Sequence, residues 1–357
     1  MIRVRLRNNA PDPRVITIAL DSGAFSWSKF YARSMGGDRR KHDFADTVEF
    51  RKYLNSYITF LNSYKEWFDF YVNLDVIGNA KRTHDVQMEM ESHGLSPIPV
   101  FHLGSDMKYF KKYAENHPII GVSISTDAFA KNKRATYAGF NRLFSYFTDK
   151  KTGKPSIKCH GFALTSVDFM VRWPWWSVDS SSWATSARYG GVVIPSALPA
   201  PKGVFKPDWL AVPQRINVTD RTLNNNVHIK RRGGSFSGLF EEYLSNTFGE
   251  DCLALLDDYH MRDVINAVYY VNTGLAIKKH YRKKYNFGEG GNLYLGARTS
   301  EALITEIVAD FLLKTIRLSD GDNPFKYFGT FFYKRDLNDM IKGALLAGER
   351  LNHGEKL

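Results

Sequence analysis

Short runs of β-branched and aromatic residues alternate with longer stretches of helical spacing along the first 215 residues of the chain. Residues 15–20, 68–74, 98–103, 119–124, 157–162 and 175–178 have the length and composition of strands. Between the first two, residues 43–67 carry Phe44, Val48, Tyr53, Tyr57, Phe60, Leu61 and Tyr64 near helical spacing. Residues 79–93 and 105–117 read as shorter helices, stopped by Gly94 and Pro118. Strand, helix, strand is the rhythm of a parallel sheet, and the expected fold class is α/β: a TIM-type (β/α)8 barrel, irregular in places, over residues 1–215. Segments 2–6 and 191–194 are the candidates for the missing pair of strands. Beyond residue 215 the texture changes: 235–257, 262–277, 300–316 and 334–351 look helical, so 216–357 is expected to be a helix-rich C-terminal region packed on the barrel.

Several predicted strands end in a polar or glycine residue: Asp21, Asp75, His102 with Gly104, Ser125, Thr165 and Asp179. In a (β/α) barrel the C-terminal strand ends converge on one face, so these side chains are expected to gather in one pocket.

Composition narrows the class of protein. With 43% hydrophobic and 14% aromatic residues in 357, the chain can bury a large core without a staple. Cys159 and Cys252 stand too far apart in sequence to make a disulfide framework or a Cys-rich metal site, a usage that fits a reducing cytoplasm. No run approaches a membrane span, so a soluble protein is expected. The 49 Lys and Arg against 37 Asp and Glu leave a formal +12, the balance expected of a protein that meets a polyanion.

Two acidic residues stand out. The segment Ala19-Leu20-Asp21-Ser22-Gly23-Ala24-Phe25 runs from a strand into an Asp and a glycine turn. There a carboxylate is partly desolvated and its pKa can rise toward the working range, or it simply caps the next helix. In Trp173-Pro174-Trp175-Trp176-Ser177-Val178-Asp179 the tryptophans precede an Asp at a strand end. They are expected either to wall a carboxylate that attacks a sugar carbon, or to form a core strand whose Asp caps a Ser-rich turn. Asp75 ends a third strand; Thr165 or Ser166 caps the helix that continues through Val171. His160 alone reads as a structural histidine, and adjacent Cys159 and His160 point to opposite faces of a strand, which makes a poor metal site.

Taken together, these pieces resemble the tRNA-guanine transglycosylase superfamily over roughly residues 15–191. Asp21-Ser22-Gly23-Ala24-Phe25 is similar to that family's Asp-Ser-Gly-Gly-aromatic motif, and Asp179 with Arg188 and Gly190 is similar to its nucleophile segment. The resemblance implies Asp179 as nucleophile and Asp21 as acid/base. It implies a base pocket of Ser22, Gly23, Phe25, Asp75, Gly121, Val122, His160 and Gly161, with His102 in the region of the family's base-reading Gln. Asp75 would read the guanine edge, Gly121-Val122 would contact the substituent at position 7, and His160 would face Phe25 across the base. The tRNA enzymes' Cys-x-Cys-x-x-Cys plus His zinc site cannot be assembled here, since only Cys252 lies in that region. A short, zinc-less, basic member is most similar to the phage-type 7-deazaguanine DNA transglycosylases, the DpdA family. That implies exchange of guanine in DNA for a free 7-deazaguanine of the preQ0 or preQ1 type, with no cofactor, and phage DNA protected from host restriction.

Basic segments supply candidate DNA contacts: Asp38-Arg39-Arg40-Lys41-His42, then Lys230, Arg231 and Arg232, then Lys278, Lys279, Arg282 and Lys283, together with Arg188. Each segment could equally be solvated surface. The rival activities are tRNA exchange, base excision by water, and DNA binding without catalysis.

Overall fold

The computed structural model describes residues 19–34, 44–124, 132–201, 204–224, 226–231 and 234–296. Segments 2–6, 38–42, 300–316 and 334–351, with Ser125 and Arg232, lie outside the described residues.

Within them the chain is a mixed α/β structure centred on a parallel sheet of five strands. Side by side lie β3 (Val100–His102), β4 (Ile119–Ser123), β5 (Lys158–Gly161), β6 (Ser177–Ser180) and β11 (Asn292–Leu295). A separate parallel pair, β1 (Ala19–Leu20) and β2 (Phe70–Tyr71), precedes them in sequence. It is tied to the approach to β3 by backbone bonds from Ile98 N to Tyr71 O (2.8 Å) and from Asn73 N to Ile98 O (3.0 Å). All five strands that the register links run the same way, so their C-terminal ends share one rim.

The helices begin where the chain supplies side-chain caps for the free N–H groups of a first turn. Thr47 accepts from Phe50 N at α2 (Val48–Tyr64), Asn79 from Arg82 N at α3 (Ala80–Ser92), and Asp106 from Lys108 N at α4 (Met107–Asn116). Asn132 does the same at α5 (Lys133–Phe147). α1 (Ala24–Ser34) follows the glycine turn after β1, while α6 (Val167–Arg172) starts at Ser166 without a side-chain cap bond. α7 (Ser182–Arg188) and α8 (Gly234–Phe248) are followed by α9 (Tyr259–Tyr285), capped by Asp258 and ended by Asn286 in the left-handed conformation.

Two aromatic cores flank the sheet. Phe101, Phe110, Phe140, Phe144, Phe169, Trp173 and Trp175 pack between β3–β6 and helices α4–α6, and Tyr281 closes the cluster from α9. The expected tryptophan wall around Asp179 is therefore corrected: Trp173 and Trp175 point into this core, where Trp175 meets Phe144 edge-on with centroids 4.8 Å apart. Within β6 alternation sends Val178 into the same core and Asp179 away from it, whereas Trp175 lies in the turn before the strand, where the alternation does not apply. The second core joins Trp183, Val192, Val193, Ile194, Ile216, Phe240, Leu244, Ile265 and Val268.

The segment 191–194 is a strand, but it does not enter the parallel sheet. As β7 (Gly191–Ile194) it pairs antiparallel with β10 (Gln214–Asn217), and a smaller antiparallel pair, β8 (Ser196–Ala197) and β9 (Pro207–Asp208), follows it. Asn266 of α9 explains the capture. Its Oδ1 accepts from Val193 N at 2.7 Å, and its Nδ2 donates to Trp183 O at 2.9 Å and Gly191 O at 3.2 Å. The place beside β6 goes to β11, a strand from the region expected to be helix-rich.

Asn266 is fully buried, so removing its amide takes a hydrogen bond from three backbone groups in the second core. Asn266→Ala is expected to destabilise the fold by about 2–4 kcal/mol, read as a lower denaturant midpoint. An unchanged midpoint would show that β7 is not held by this side chain.

Candidate functional site

The rim formed by the C-terminal strand ends collects acidic side chains from distant stretches of sequence. Asp21 follows β1, Asp75 follows β2, and Asp179 is the third residue of β6. Their mutual influence is direct: burial raises the Asp21 carboxyl to about 6, with the charges of Asp179 and then Asp75 pushing the same way. Asp21 itself is exposed at the lip, so some solvent reaches it even while the protein around its carboxyl strips away much of its water. Backbone N–H groups of Gly23 and Ser22 oppose the rise.

The turn that carries Asp21 is built around one glycine. Gly23 has φ +74°, and a Cβ there would come within 2.7 Å of the Tyr53 hydroxyl. That hydroxyl donates to Ser22 O at 2.8 Å, so α2 braces the turn from below. Ser22 is buried, its Oγ 3.4 Å from Ala24 N, while Phe25 is 43% exposed with Lys29 Nζ 4.5 Å from its ring centroid.

Asp75 and His102 are partners. His102 Nε2 lies 2.7 Å from Asp75 Oδ2, both side chains only 13% exposed, and His102 Nδ1 is buried without a hydrogen-bond partner. On the facing strand, Asp179 Oδ1 accepts from Ala163 N at 2.8 Å, and His160 Nε2 stands 3.6 Å away. Ala163 reaches this position with φ +56°, an uncommon conformation for a residue bearing a Cβ.

Four of the expected base contacts are covered. His160 is 2% exposed, with Nδ1 2.7 Å from Ser177 Oγ and its ring against Phe70 and Phe162; it lies beneath Asp179 and offers no face for a base to stack on. Gly121 is buried under the Phe162 ring, which a Cβ at 121 would strike at 2.4 Å. Val122 projects into the apolar core, and its carbonyl is taken by Phe162 N at 3.0 Å. Gly161 is buried too, with Leu164 and Trp175 about its α-carbon. The pair Gly121-Val122 is thus covered, and close approach of an aromatic ring accounts for the glycine. Sequence reasoning missed Phe162, Ser177, Tyr53 and Ala163. Phe162 could have been found two residues beyond His160 on the same strand face.

The basic residues divide. Lys230 is paired with Asp220 at 3.0 Å, and Arg231 Nε donates to Leu223 O at 2.7 Å. Lys279, Arg282 and Lys283 are exposed and Lys278 half-buried in the last turns of α9, where positive charge favours the helix C-terminus. Their neighbour Tyr281 reaches Trp173 O (2.6 Å), in the turn leading into β6, so this cluster flanks the end of the sheet opposite the carboxylates. Arg188 closes α7 and faces Asp263 of α9.

Among the described residues no group of three His, Cys, Asp or Glu could hold a metal ion, and no helix is long and apolar enough to cross a membrane. Cys159 and Cys252 are buried free thiols, and burial pushes that of Cys252 up to about 12. Comparison with family models, with curated proteins and with solved structures gives no match in any of the three.

A carboxyl raised in the folded state binds its proton more tightly there than in the unfolded chain. Asp21 therefore costs stability as pH rises from about 4 to about 6, and the cost is complete above that window. Asp21→Asn is expected to raise the denaturant midpoint at pH 8 while leaving the gap near zero at pH 3. In Asp179→Asn the Asp21 carboxyl, followed by carbon-13 NMR, is expected to titrate below 6. An unmoved titration would mean the two carboxyls do not sense one another.

Proposed function

We propose that the chain is a guanine transglycosylase acting on DNA, in which Asp179 is the nucleophile and Asp21 the proton carrier. The observation that supports this reading is the pair of unlike carboxyls at one rim: Asp179 held by a backbone N–H, and Asp21 with its carboxyl raised to about 6. A carboxyl raised to about 6 suits the partner that changes protonation near neutrality, and one oriented by a backbone bond suits the nucleophile.

In this reading the target nucleotide leaves the stack, at a cost of a few kcal/mol, and its base enters beside Phe25. An Asp179 oxygen attacks the anomeric carbon as the carbon–nitrogen bond to guanine breaks, and the bonding pair leaves on the purine nitrogen. Protonated Asp21 delivers the proton that neutralises the departing base. The resulting sugar ester is opened by a free 7-deazaguanine: its ring nitrogen gives a proton to Asp21, bonds to the anomeric carbon and expels the Asp179 carboxylate. Two inversions keep the original anomer. Asp75, aligned by His102, accepts from the N–H edge of the base, and Phe162 takes the ring position that sequence alone gave to His160.

The finer fold belongs to the same proposal. Phe70 of the separate pair lies 5.5 Å from Tyr294 of β11 and 5.8 Å from His160, ring to ring. Such contacts between the first and last strands suit an irregular TIM-type barrel whose interior is filled with aromatic rings. The working place is a cytoplasm containing DNA, and the excess of positive charge supports a polyanionic substrate.

The test is incubation of the protein with labelled 7-deazaguanine and either duplex DNA or tRNA, followed by mass spectrometry of the nucleosides. Label in DNA alone is expected, with a hydroxylamine-sensitive protein–DNA adduct. Asp179→Ala should abolish the adduct, and Asp21→Asn should slow exchange by roughly 10²–10⁴-fold. Full exchange by Asp179→Ala would falsify the assignment; label in tRNA would change the polymer; abasic sites without new base would make it a glycosylase.

A further inference from the structure

A cavity of about 850 Å³ opens between the end of α7, the turn at 219–222 and the first turns of α9. Its walls are fixed by bonds that leave little freedom. Arg262 Nε donates to Ala187 O at 2.8 Å and its NH1 to Leu256 O at 2.6 Å, which ties α9 to the end of α7. Gly190, at φ +78°, admits the Thr219 side chain so closely that a Cβ would meet Oγ1 at 2.2 Å, and Val218 N donates to Gly190 O at 2.9 Å. The cleft is preformed, as ligand sites generally are.

The cleft belongs to the same end of the sheet as the carboxylates. α9 descends from it to Tyr281 and Tyr285, which reach Trp173 O and Arg172 O just before β6. Along α9, Arg262 touches Ala187 and Asn266 touches Trp183, so α7 runs counter to α9 and climbs away from the strand ends. Seven residues of helix set Arg188 about 10 Å beyond the rim.

Its chemistry is unspent. Asp263 lines the cleft at 6% exposure, and its Oδ1 has no hydrogen-bond partner. Burial raises that carboxyl to about 7 despite the opposing charges of Arg188 and Arg262. A buried polar atom without a partner is costly, and a ligand N–H would relieve it. Arg188 and Arg221 are exposed at the walls with no ion pair among the described residues, whereas Asp220 is already engaged by Lys230. Tyr189, 76% exposed, lines the same opening, as does Tyr259, whose ring lies against that of His260.

From this set we infer a nucleotide site outside the carboxylate rim: Arg188 and Arg221 hold the phosphate, Tyr189 stacks on the base, and Asp263 accepts from an exocyclic amino group. Guanidinium groups, an aromatic face and a buried acceptor are the three features that phosphate, base ring and amino edge respectively require. A plain anion would leave Asp263 unsatisfied, and an apolar ligand would leave both arginines so. The same chemistry occurs in a free nucleotide and in one nucleotide of a strand.

Fluorescence polarisation with short single strands of dA and of dT, beside titration with dAMP and dTMP, separates the cases. The dA strand is expected to bind about tenfold tighter than dT, because thymine has no amino group to offer. Asp263→Leu, of similar size and without an acceptor, should erase that preference. Arg188→Ala and Arg221→Ala should each weaken both strands and lower the salt slope by about one. Mononucleotide binding with the same preference would identify a free nucleotide as ligand, and binding of strands alone would identify the polymer. Equal affinity for dA and dT, or variants indistinguishable from the parent, would overturn the site. The readout is binding, so its result does not depend on whether Asp179 forms an adduct.

Discussion

Three carboxylates at one end of a parallel sheet repel each other, and the rim exists only because each has its own compensation. Asp179 is held by the Ala163 N–H, Asp75 by His102, and Asp21 by the N–H groups at the start of α1. The compensations are unequal. Asp179 and Asp75 each have one close partner, whereas at Asp21 desolvation outweighs the backbone donors and lifts the carboxyl. That inequality, rather than the mere presence of acids, separates the roles the three can take. It also explains why the rim is braced so heavily from behind: a shift of an ångström in any carboxylate changes the field at the other two.

The bracing is done largely by phenol groups. Tyr53 holds Ser22 O, Tyr57 holds Val72 O at 2.8 Å, and Tyr281 and Tyr285 hold carbonyls in the turn before β6. Each ring contributes apolar burial while its hydroxyl satisfies a loop carbonyl that regular structure leaves free. A chain with 19 tyrosines and 25 phenylalanines can pin loops this way without disulfides or metals. Ala163 shows the cost. Holding Asp179 from a left-handed backbone position takes of order 1–2 kcal/mol for a residue with a Cβ, which the surrounding packing must offset.

Much of the sheet was legible because periodicity and breakers agree: β3, β4 and β5 fall inside the predicted runs 98–103, 119–124 and 157–162, and Gly94 and Pro118 end their helices as expected. The failures have physical causes. Residues 191–194 are a short apolar run that suits any buried strand, and only the long-range clamp by Asn266 decides its partner. β11 is four residues after a glycine-rich turn, too short to carry a period of its own. In the site, Asp21, Asp75 and Asp179 each stand at or just beyond the C-terminal end of a strand, a position legible from the sequence, and Asp179 and Asp75 both act on Asp21. Depth along a strand was not legible: His160 and Gly121 lie one pleat below the rim, a distinction that depends on where each strand starts within the sheet.

The strand beside Asp179 arrives from more than a hundred residues away, for β11 begins at Asn292 and β6 ends at Ser180. Everything between them is threaded as one excursion that must return before β6 has a neighbour on that side. During synthesis the N-terminal portion therefore emerges with a naked hydrogen-bonding edge, next to Asp179. Such an edge invites foreign strands until the missing piece arrives. Cutting the chain near residue 215 would make that vulnerability permanent, so a shortened protein keeps all three acids yet loses the wall that separates them from solvent and from one another's copies.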